Sequence, residues 1–222
     1  LENIKFEKED LDYLRSRGHF SEEFLQYLQN FKFECDVWAI PEGTPVFPGE
    51  PVLIVRGPVI QAQFIESILL LLINHQSLIA TKANRVVRAA KGRGVLEFGT
   101  RRAHGASSAI YGARAAYIGG CIGTACTIAG RQFGIPAAGT MAHSWVQLFD
   151  SEYESFRTFA ELYPDNCILL VDTYNVLKSG VPNAIRVFKE LKPKNMGIRI
   201  DSGDVTYLTK RARAMLDDAG LT

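Results

Sequence analysis

From Gly94 onward, short apolar runs alternate with helical stretches, and this alternation restricts the fold more than any other feature of the chain. Repeated strand–helix order predicts a parallel sheet, because parallel neighbours need a crossover connection that a helix usually provides. The runs are apolar throughout, which is typical of strands covered on both faces. The five runs are GVLEFGT, YIGGCIGTA, IPAAGTMA, CILLVDT and MGIRIDSG.

The stretches between these runs carry apolar residues at the three- and four-residue spacing of an amphipathic helix. Each run and the stretch after it therefore form one predicted βα unit, and the units follow one another without interruption. The predicted helices are ASSAIYGARAA, TIAGRQFG, SWVQLFDSEYESFRTFAELY, VPNAIRVFKELK and VTYLTKRARAMLDDAG.

Two parallel architectures compete for this pattern, an open doubly wound sheet and a (βα)₈ barrel. Polar residues stand at the end of each predicted strand. A barrel gathers such ends into one pocket, whereas an open sheet spreads them along an edge. The sequence has no GxGxxG turn after a run. We therefore predict that residues 93–222 form the first five βα units of an incomplete TIM-like barrel, whose remaining strands lie beyond Thr222.

Residues 1–92 follow a different pattern, in which helices and short strands are mixed. FEKEDLDYLRSRG and SEEFLQYLQNF predict two helices, the second capped by Ser21. The next segment is broken by Pro and Gly and predicts short strands with tight turns. The long helix that follows has Ile68–Ile73 as its longest apolar run, far below the roughly 20 residues of a membrane span. We expect this helix to be buried, and predict an α+β domain with a linking helix over residues 1–92.

Charge and cysteine content favour some partners over others. The formal net charge of +1 gives no reason to expect nucleic acid or a membrane as partner. The four cysteines form no CxxC pair and fit no zinc pattern, so we expect buried thiols in a cytoplasmic protein without a transition-metal site. A local basic cluster is either a solvated face or an anion site, and consists of Arg85, Arg88, Lys91, Arg93, Arg101 and Arg102.

The stretch PAAGTMAHSW places His143 just past the third predicted strand, at the start of a helix. A neutral imidazole there can act as nucleophile, base or metal ligand, and the alternative is a cap for its own helix. Asp172 ends the neighbouring fourth strand. We expect its carboxylate to accept a hydrogen bond from one ring nitrogen of His143, which leaves the other nitrogen free to react. Capping of the helix after Thr173 is the alternative role for Asp172.

RIDSGD ends the fifth predicted strand and combines a cation with carboxylates. Arg199 and Asp201 are two residues apart, so both point to the same side of the strand and form either an internal pair or an anion site. Ser202 and Gly203 begin a turn whose backbone N–H groups suit hydroxyl or phosphate contacts. Asp201 is a carboxylate that can hold Mg²⁺ through waters and a substrate phosphate.

EFGTRRAHG ends the first strand of the series. Phe98 offers a flat aromatic face, while Arg101 and Arg102 offer planar, permanent cations. This combination suits an aromatic acid or a phosphorylated sugar. We expect His104 to be exposed or structural. The residues alone therefore predict a barrel enzyme for an anionic, phosphorylated small molecule.

Four motifs in fixed order, EFGTRRAHG, GTMAHSW, LLVDTYNV and RIDSGD, together resemble those of the nicotinate phosphoribosyltransferase family. PEGTPVFPGEPVLIVRGP is similar to the open α/β sandwich domain that precedes the barrel in that family, so the resemblance runs over nearly all of the chain. It implies transfer of the phosphoribosyl group of phosphoribosyl pyrophosphate to nicotinate, giving nicotinate mononucleotide and pyrophosphate in NAD salvage. It also implies ATP hydrolysis through a phosphohistidine, and a homodimer with shared active sites.

The resemblance gives the candidate residues roles. By resemblance, His143 is the residue that carries the phosphate, and Asp172 is the residue that orients His143. The resemblance also implies Mg²⁺ as cofactor and ATP as co-substrate. Thr140 and Arg199 match family positions that contact nicotinate. Phe98 and Arg101 match the ring-and-pyrophosphate side of the family's pocket, and Asp201 matches a residue on its ribose side. The predicted site comprises catalytic His143, Asp172 and Asp201, and substrate-binding Phe98, Arg101, Thr140, Ser144, Arg199, Ser202 and Gly203.

The residue at position 125 distinguishes nicotinate from nicotinamide as the expected substrate. CIGTA puts Ala125 where nicotinamide-using relatives are expected to carry an aspartate. Two like charges about 4 Å apart cost on the order of 4 kcal/mol at an effective dielectric of 20, so an aspartate there would repel nicotinate. The alternatives are a nicotinamide or quinolinate phosphoribosyltransferase, a silent homologue that binds pyridines or phosphates, and an unrelated barrel hydrolase.

We expect this sequence to be a fragment that lacks both ends of the protein. It opens without Met and closes at the exit of a helix. The resemblance implies a missing N-terminal segment that supplies a stacking aromatic residue across the dimer interface. It also implies missing barrel strands whose Gly-rich loops hold the 5′-phosphate.

Overall fold

The computed structural model describes residues 1–221, which divide into two compact units, one ending at Ala138 and one beginning at Gly139. Both units mix helices with short strands, so the predicted α/β class with an α+β segment is confirmed at that level. The incomplete TIM-like barrel stays a prediction, because the described strands form three separate two-stranded sheets. The predicted domain boundary between residues 92 and 93 also stays a prediction.

The first unit begins with two helices that pack on each other, α1 (Lys8–Ser16) and α2 (Glu22–Gln29). Leu11, Leu25 and Leu28 are buried between them. The predicted cap is confirmed, since the Ser21 hydroxyl accepts a hydrogen bond from the Phe24 N–H at 3.2 Å. Two antiparallel strands follow, as expected for the turn-rich segment: β1 (Asp36–Ala39) and β2 (Leu53–Arg56).

The long predicted helix is α3 (Val59–Ala89), but the expectation that it is buried is wrong for the part of the chain that the structure describes. Leu71 and Leu78 are 67% and 70% exposed, and only Gln61, Ile65 and Ala83 are buried. By length and composition alone α3 is long and apolar enough to cross a membrane, a criterion that core helices of water-soluble proteins also meet. Amphipathic periodicity shows which positions are apolar, whereas burial depends on what packs against them.

The rest of the first unit contains the first two predicted βα units. Strand β3 (Leu96–Glu97) pairs in parallel with β4 (Gly123–Thr124). Between them lie a 3-10 helix (Thr100–Arg102) and α4 (Ala106–Ile118), and α5 (Thr127–Phe133) follows β4. The prediction of a third strand over IPAAGTMA is wrong, because this stretch forms one isolated parallel bridge, between Ala137 and Thr124, instead of a strand. Pro136 lacks the N–H that a continued ladder would need.

The second unit holds the last two βα units and the larger core. Strand β5 (Cys167–Leu170) pairs in parallel with β6 (Met196–Arg199), with Leu170 opposite Arg199. A π-helix (Val176–Gly180) and α8 (Val181–Leu191) connect the two strands, and α9 (Val205–Asp218) follows β6. The core is apolar and includes Val146, Phe156, Leu169, Val171, Val187 and Phe188.

The single helix predicted over residues 144–163 is two helices, α6 (His143–Gln147) and α7 (Glu152–Leu162). The break is caused by Ser151, whose hydroxyl accepts a hydrogen bond from the Glu154 N–H at 3.2 Å and so starts a new helix. The break leaves His143 as the first residue of a short helix that is separate from α7.

Candidate active site

His143 is the first residue of α6, and its two ring nitrogens face different partners. Nδ1 lies 3.1 Å from the hydroxyl oxygen of Thr173. Nε2 lies 3.9 Å from Oδ1 of Asp172 and 3.7 Å from Oδ2 of Asp201. The expected hydrogen bond from His143 to Asp172 is therefore not made, because 3.9 Å is too long. The hydroxyl of Thr173 makes the direct contact instead.

Asp172 is buried and fixes the segment that follows β6. Its Oδ2 accepts hydrogen bonds from the Asp201 N–H at 2.9 Å and from the Ser202 hydroxyl at 2.6 Å. Its Oδ1, which faces His143, is buried without a hydrogen-bond partner among residues 1–221. A buried acceptor left unpaired is costly, so this oxygen is available to a donor that enters the site.

The alternative role of Asp172 as a helix cap is wrong. The cap of the π-helix after β5 is Asn175, whose side-chain oxygen accepts a hydrogen bond from the Lys178 N–H at 2.8 Å. Asp172 stands three residues before that cap and is turned toward Asp201 and Ser202 instead. Its carboxylate is therefore part of the strand-end site.

Arg199 ends β6 and joins two of the predicted substrate-binding residues. Its guanidinium donates to the Thr140 hydroxyl at 2.6 Å and to Oδ1 of Asp201 at 2.9 Å. The internal Arg199–Asp201 pair, one of the two alternatives that the sequence allowed, is thus present. Since Oδ2 of Asp201 faces His143, this one carboxylate lies between the guanidinium and the imidazole.

The turn after β6 has the geometry that its sequence predicts. Gly203 has a φ of +77°, in the left-handed region that favours glycine. Asp204 then caps α9, accepting a hydrogen bond from the Tyr207 N–H at 3.0 Å. Ser144 is exposed on α6 beside His143. Contacts in the second unit therefore bring together Thr140, His143, Asp172, Arg199, Asp201 and Ser202, and the exposed Ser144 and Gly203 follow His143 and Ser202 in the chain.

Phe98 and Arg101 lie in the first unit, after β3, and both are exposed. A cavity of about 470 Å³ in that unit is lined by Arg102 and His104, not by Phe98 or Arg101. His104 is exposed, as expected. Ala125 is exposed directly after β4, and its N–H donates to the Glu97 carbonyl at 2.9 Å, which fixes its backbone.

Thr173 is the site residue that the sequence reasoning missed. It lies inside the LLVDTYNV motif, one position after Asp172. A hydroxyl next to a strand-end carboxylate was the available signal, but no spacing rule singles out one threonine in a loop. Only the turn after β5, fixed by Asn175, shows that this hydroxyl reaches the imidazole.

The described part of the second unit thus holds an imidazole, two carboxylates and a guanidinium at the carboxyl ends of two parallel strands. Strand ends of this kind are where α/β proteins bind small ligands. Within residues 1–221 no group of three or more His, Cys, Asp or Glu side chains could hold a metal by itself. These features define a class: an α/β protein whose strand-end site suits a small anionic molecule.

Comparison with known proteins narrows this class to one family. Residues 1–74 match the nicotinate phosphoribosyltransferase N-terminal domain, and residues 94–219 match the nicotinate phosphoribosyltransferase family. The chain belongs to the nicotinate phosphoribosyltransferase family, as its four motifs indicated.

Curated relatives carry the same family name. Nicotinate phosphoribosyltransferase pncB2 of Mycobacterium tuberculosis is 50% identical over 223 residues, covering 100% of this chain and 48% of the relative. Nicotinate phosphoribosyltransferase of Bacillus subtilis is 48% identical over 224 residues, covering 100% of this chain and 46% of the relative. The chain spans about half the length of the curated relatives it matches.

Solved structures agree with this assignment. The human nicotinic acid phosphoribosyltransferase matches with a TM-score of 0.83 at 28% identity, over 98% of this chain and 55% of that chain. The nicotinate-nucleotide pyrophosphorylase of Pyrococcus furiosus matches with a TM-score of 0.74 at 31% identity, over 84% of this chain and 49% of that chain.

Proposed function

We propose that the protein from which this chain comes transfers the phosphoribosyl group of phosphoribosyl pyrophosphate to nicotinate, forming nicotinate mononucleotide and pyrophosphate. The relatives from Mycobacterium tuberculosis and Bacillus subtilis are named for this reaction. The observation that carries the proposal is the strand-end cluster, in which Arg199 and the hydroxyl of Thr140 stand in one hydrogen-bonded group with Asp201.

Arg199 and Thr140 form the proposed site for the nicotinate carboxylate. A guanidinium offers planar, paired donors that match a carboxylate, and it keeps its charge at all relevant pH values. The hydroxyl of Thr140 accepts from the guanidinium at 2.6 Å and donates to the Met141 carbonyl at 3.3 Å, a long bond that it can exchange for one to the nicotinate carboxylate. Ala125, Phe98 and Arg101 are proposed to complete the pyridine and pyrophosphate side in the whole protein.

His143 is proposed to carry a phosphoryl group. The two carboxylates near Nε2 favour a proton on that nitrogen, which leaves the lone pair on Nδ1. In that tautomer the Thr173 hydroxyl, 3.1 Å away, donates to the Nδ1 lone pair, so it must turn away before Nδ1 attacks the γ-phosphorus of ATP. The bond from phosphorus to the bridging oxygen then breaks, and its electron pair leaves with ADP. The phosphoryl group on Nδ1 points away from both carboxylates. Water then cleaves the N–P bond and releases phosphate.

Mg²⁺ and ATP are proposed as cofactor and co-substrate. The carboxylate of Asp201 suits a Mg²⁺ ion shared with substrate phosphates, because its Oδ2 lies 3.7 Å from Nε2 of His143, too far for a hydrogen bond. Bound there, the ion would neutralise phosphate charge. We further propose a cytoplasmic homodimer with shared active sites, on the family resemblance alone.

The test is a competition assay on the complete protein. Nicotinate, nicotinamide and quinolinate are offered together with phosphoribosyl pyrophosphate and Mg²⁺, and mononucleotides are separated by chromatography. Nicotinate mononucleotide from nicotinate alone supports the proposal. A product from nicotinamide or quinolinate would replace the substrate assignment, and no product from any pyridine would leave only a binding protein.

A further inference from the structure

Glu152 is a buried acid in the second unit that lies outside the site described above. It is 5% exposed at the first position of α7. Its Oε2 accepts hydrogen bonds from the Ser179 hydroxyl and, at 3.2 Å, from the Asn183 amide. Its Oε1 is buried without a partner within residues 1–221. A buried carboxylate with one oxygen unpaired costs stability, so stability alone does not account for it.

On one side, Glu152 belongs to the segment that carries His143. Leu148 caps the end of α6, and α7 begins four residues later at Glu152. The Trp145 indole N–H donates to the Ser155 carbonyl at 3.3 Å, so α6 is also held to α7 by a side chain. Ser155 is fully buried. Movement of α7 therefore moves the imidazole.

On the other side, Glu152 holds the segment that carries Asp172 and Thr173. Ser179 is in the π-helix, where the N–H groups of Ser179 and Gly180 both donate to the Asn175 carbonyl at 2.9 Å. Gly180 lies so close to β5 that a Cβ there would stand 1.9 Å from the Val171 carbonyl oxygen. The π-helix therefore cannot shift without moving the residues between Val171 and Asn175.

We propose that Glu152 is a positioning residue, whose carboxylate sets the distance between the Nδ1 of His143 and the hydroxyl of Thr173. Its hydrogen bonds link α7 to the π-helix and to α8, outside the proposed substrate site. The catalytic part of this inference rests on the proposed phosphoryl-carrying role of His143, whereas the positioning part concerns the geometry of this chain alone.

The test compares Glu152→Ala and Glu152→Gln in the complete protein, with the Ser179→Ala variant as a milder break of the same link. Glutamine keeps the side-chain oxygen that accepts both hydrogen bonds. Val187→Ala is the matched control, since Val187 is fully buried in α8 and its loss destabilises the same core. Each variant is first compared by its midpoint of thermal unfolding.

The primary readout is the pair of ring ¹⁵N chemical shifts of His143, which report the proton position and the Thr173 contact without any turnover. We expect Glu152→Ala and Ser179→Ala to move both shifts toward those of a solvent-exposed imidazole. Glu152→Gln should keep the wild-type shifts, and Val187→Ala should keep them at an equal loss of stability. Unchanged shifts in both Glu152→Ala and Ser179→Ala would overturn the inference, whether or not the protein is active.

The second readout is the stimulation of nicotinate mononucleotide formation by ATP. Glu152→Ala should lower that stimulation about tenfold, the effect of roughly 1.4 kcal/mol, while the rate without ATP changes less than about twofold. An equal fall of both rates, matched by Val187→Ala, would show a structural role only and overturn the inference. A wild-type protein without product would contradict the proposed function instead.

Discussion

The Nδ1 of His143 lies 3.1 Å from the hydroxyl of Thr173, whereas Asp172, one residue earlier in the chain, stays 3.9 Å from Nε2. The imidazole is therefore held by a hydroxyl on one side and faces buried negative charge on the other. This arrangement separates orientation, which Thr173 supplies, from electrostatic preference, which the carboxylates supply.

The Thr173 contact gives the first prediction. Thr173→Val removes one hydrogen bond, worth about 0.5–1.5 kcal/mol, so we expect the ATP-stimulated rate to fall roughly 2- to 12-fold. Thr173→Ser keeps the hydroxyl and should retain most of the rate. Steady-state assays of nicotinate mononucleotide formation measure both. Equal rates for the Val and Ser variants would mean that the contact has no role.

Ala125 gives a prediction about substrate charge. Ala125→Asp should lower kcat/KM for nicotinate by up to about a thousandfold, since like charges about 4 Å apart cost on the order of 4 kcal/mol at an effective dielectric of 20. Ala125→Asn has nearly the same shape without the charge and is the control. A similar loss in both variants would assign the effect to size.

Gly180 gives a prediction about stability. Gly180→Ala would place a Cβ 1.9 Å from the Val171 carbonyl oxygen, so the π-helix or β5 must move. We expect a loss of about 3 kcal/mol in the free energy of unfolding, measured by urea denaturation. Gly139→Ala is the control, because its Cβ would meet no atom within 4 Å. Equal stability of the two variants would contradict this packing.

Cys167 gives a prediction about pH. Burial raises the pKa of the Cys167 thiol to about 11, whereas the pKa of a thiol in an unfolded chain is about 8.5. The stabilisation is complete below about pH 8.5 and is lost as the pH rises toward 11, by at most about 3 kcal/mol. Urea denaturation at pH 8 and 10.5 should show a larger drop for the wild type than for Cys167→Ala. Parallel drops would contradict the shift.

Much of the fold follows from local pattern. The predicted helix over residues 106–116 is α4, and that over 181–192 is α8, because apolar spacing and caps act within a few residues. The break between α6 and α7 could have been found from Ser151 followed three residues later by Glu154. The π-helix could not, since it depends on the packing of Gly180 against β5.

The site was predictable where strand ends define it. Asp172 contacts Asp201 because β5 and β6 are parallel neighbours with Leu170 opposite Arg199, so the carboxyl ends of the two strands coincide. The contact of His143 with Thr173 was not predictable, because it depends on how the turn after β5 closes. The exposure of α3 was missed because a sequence does not state what covers an apolar face.

The central claim is that His143 couples ATP to nicotinate mononucleotide formation. The most direct measurement is the rate of that product from nicotinate, phosphoribosyl pyrophosphate and Mg²⁺ in the complete protein, with and without ATP, for wild type and His143→Ala. We predict that ATP raises the wild-type rate and leaves the variant rate unchanged. Equal stimulation by ATP in both proteins would contradict the account.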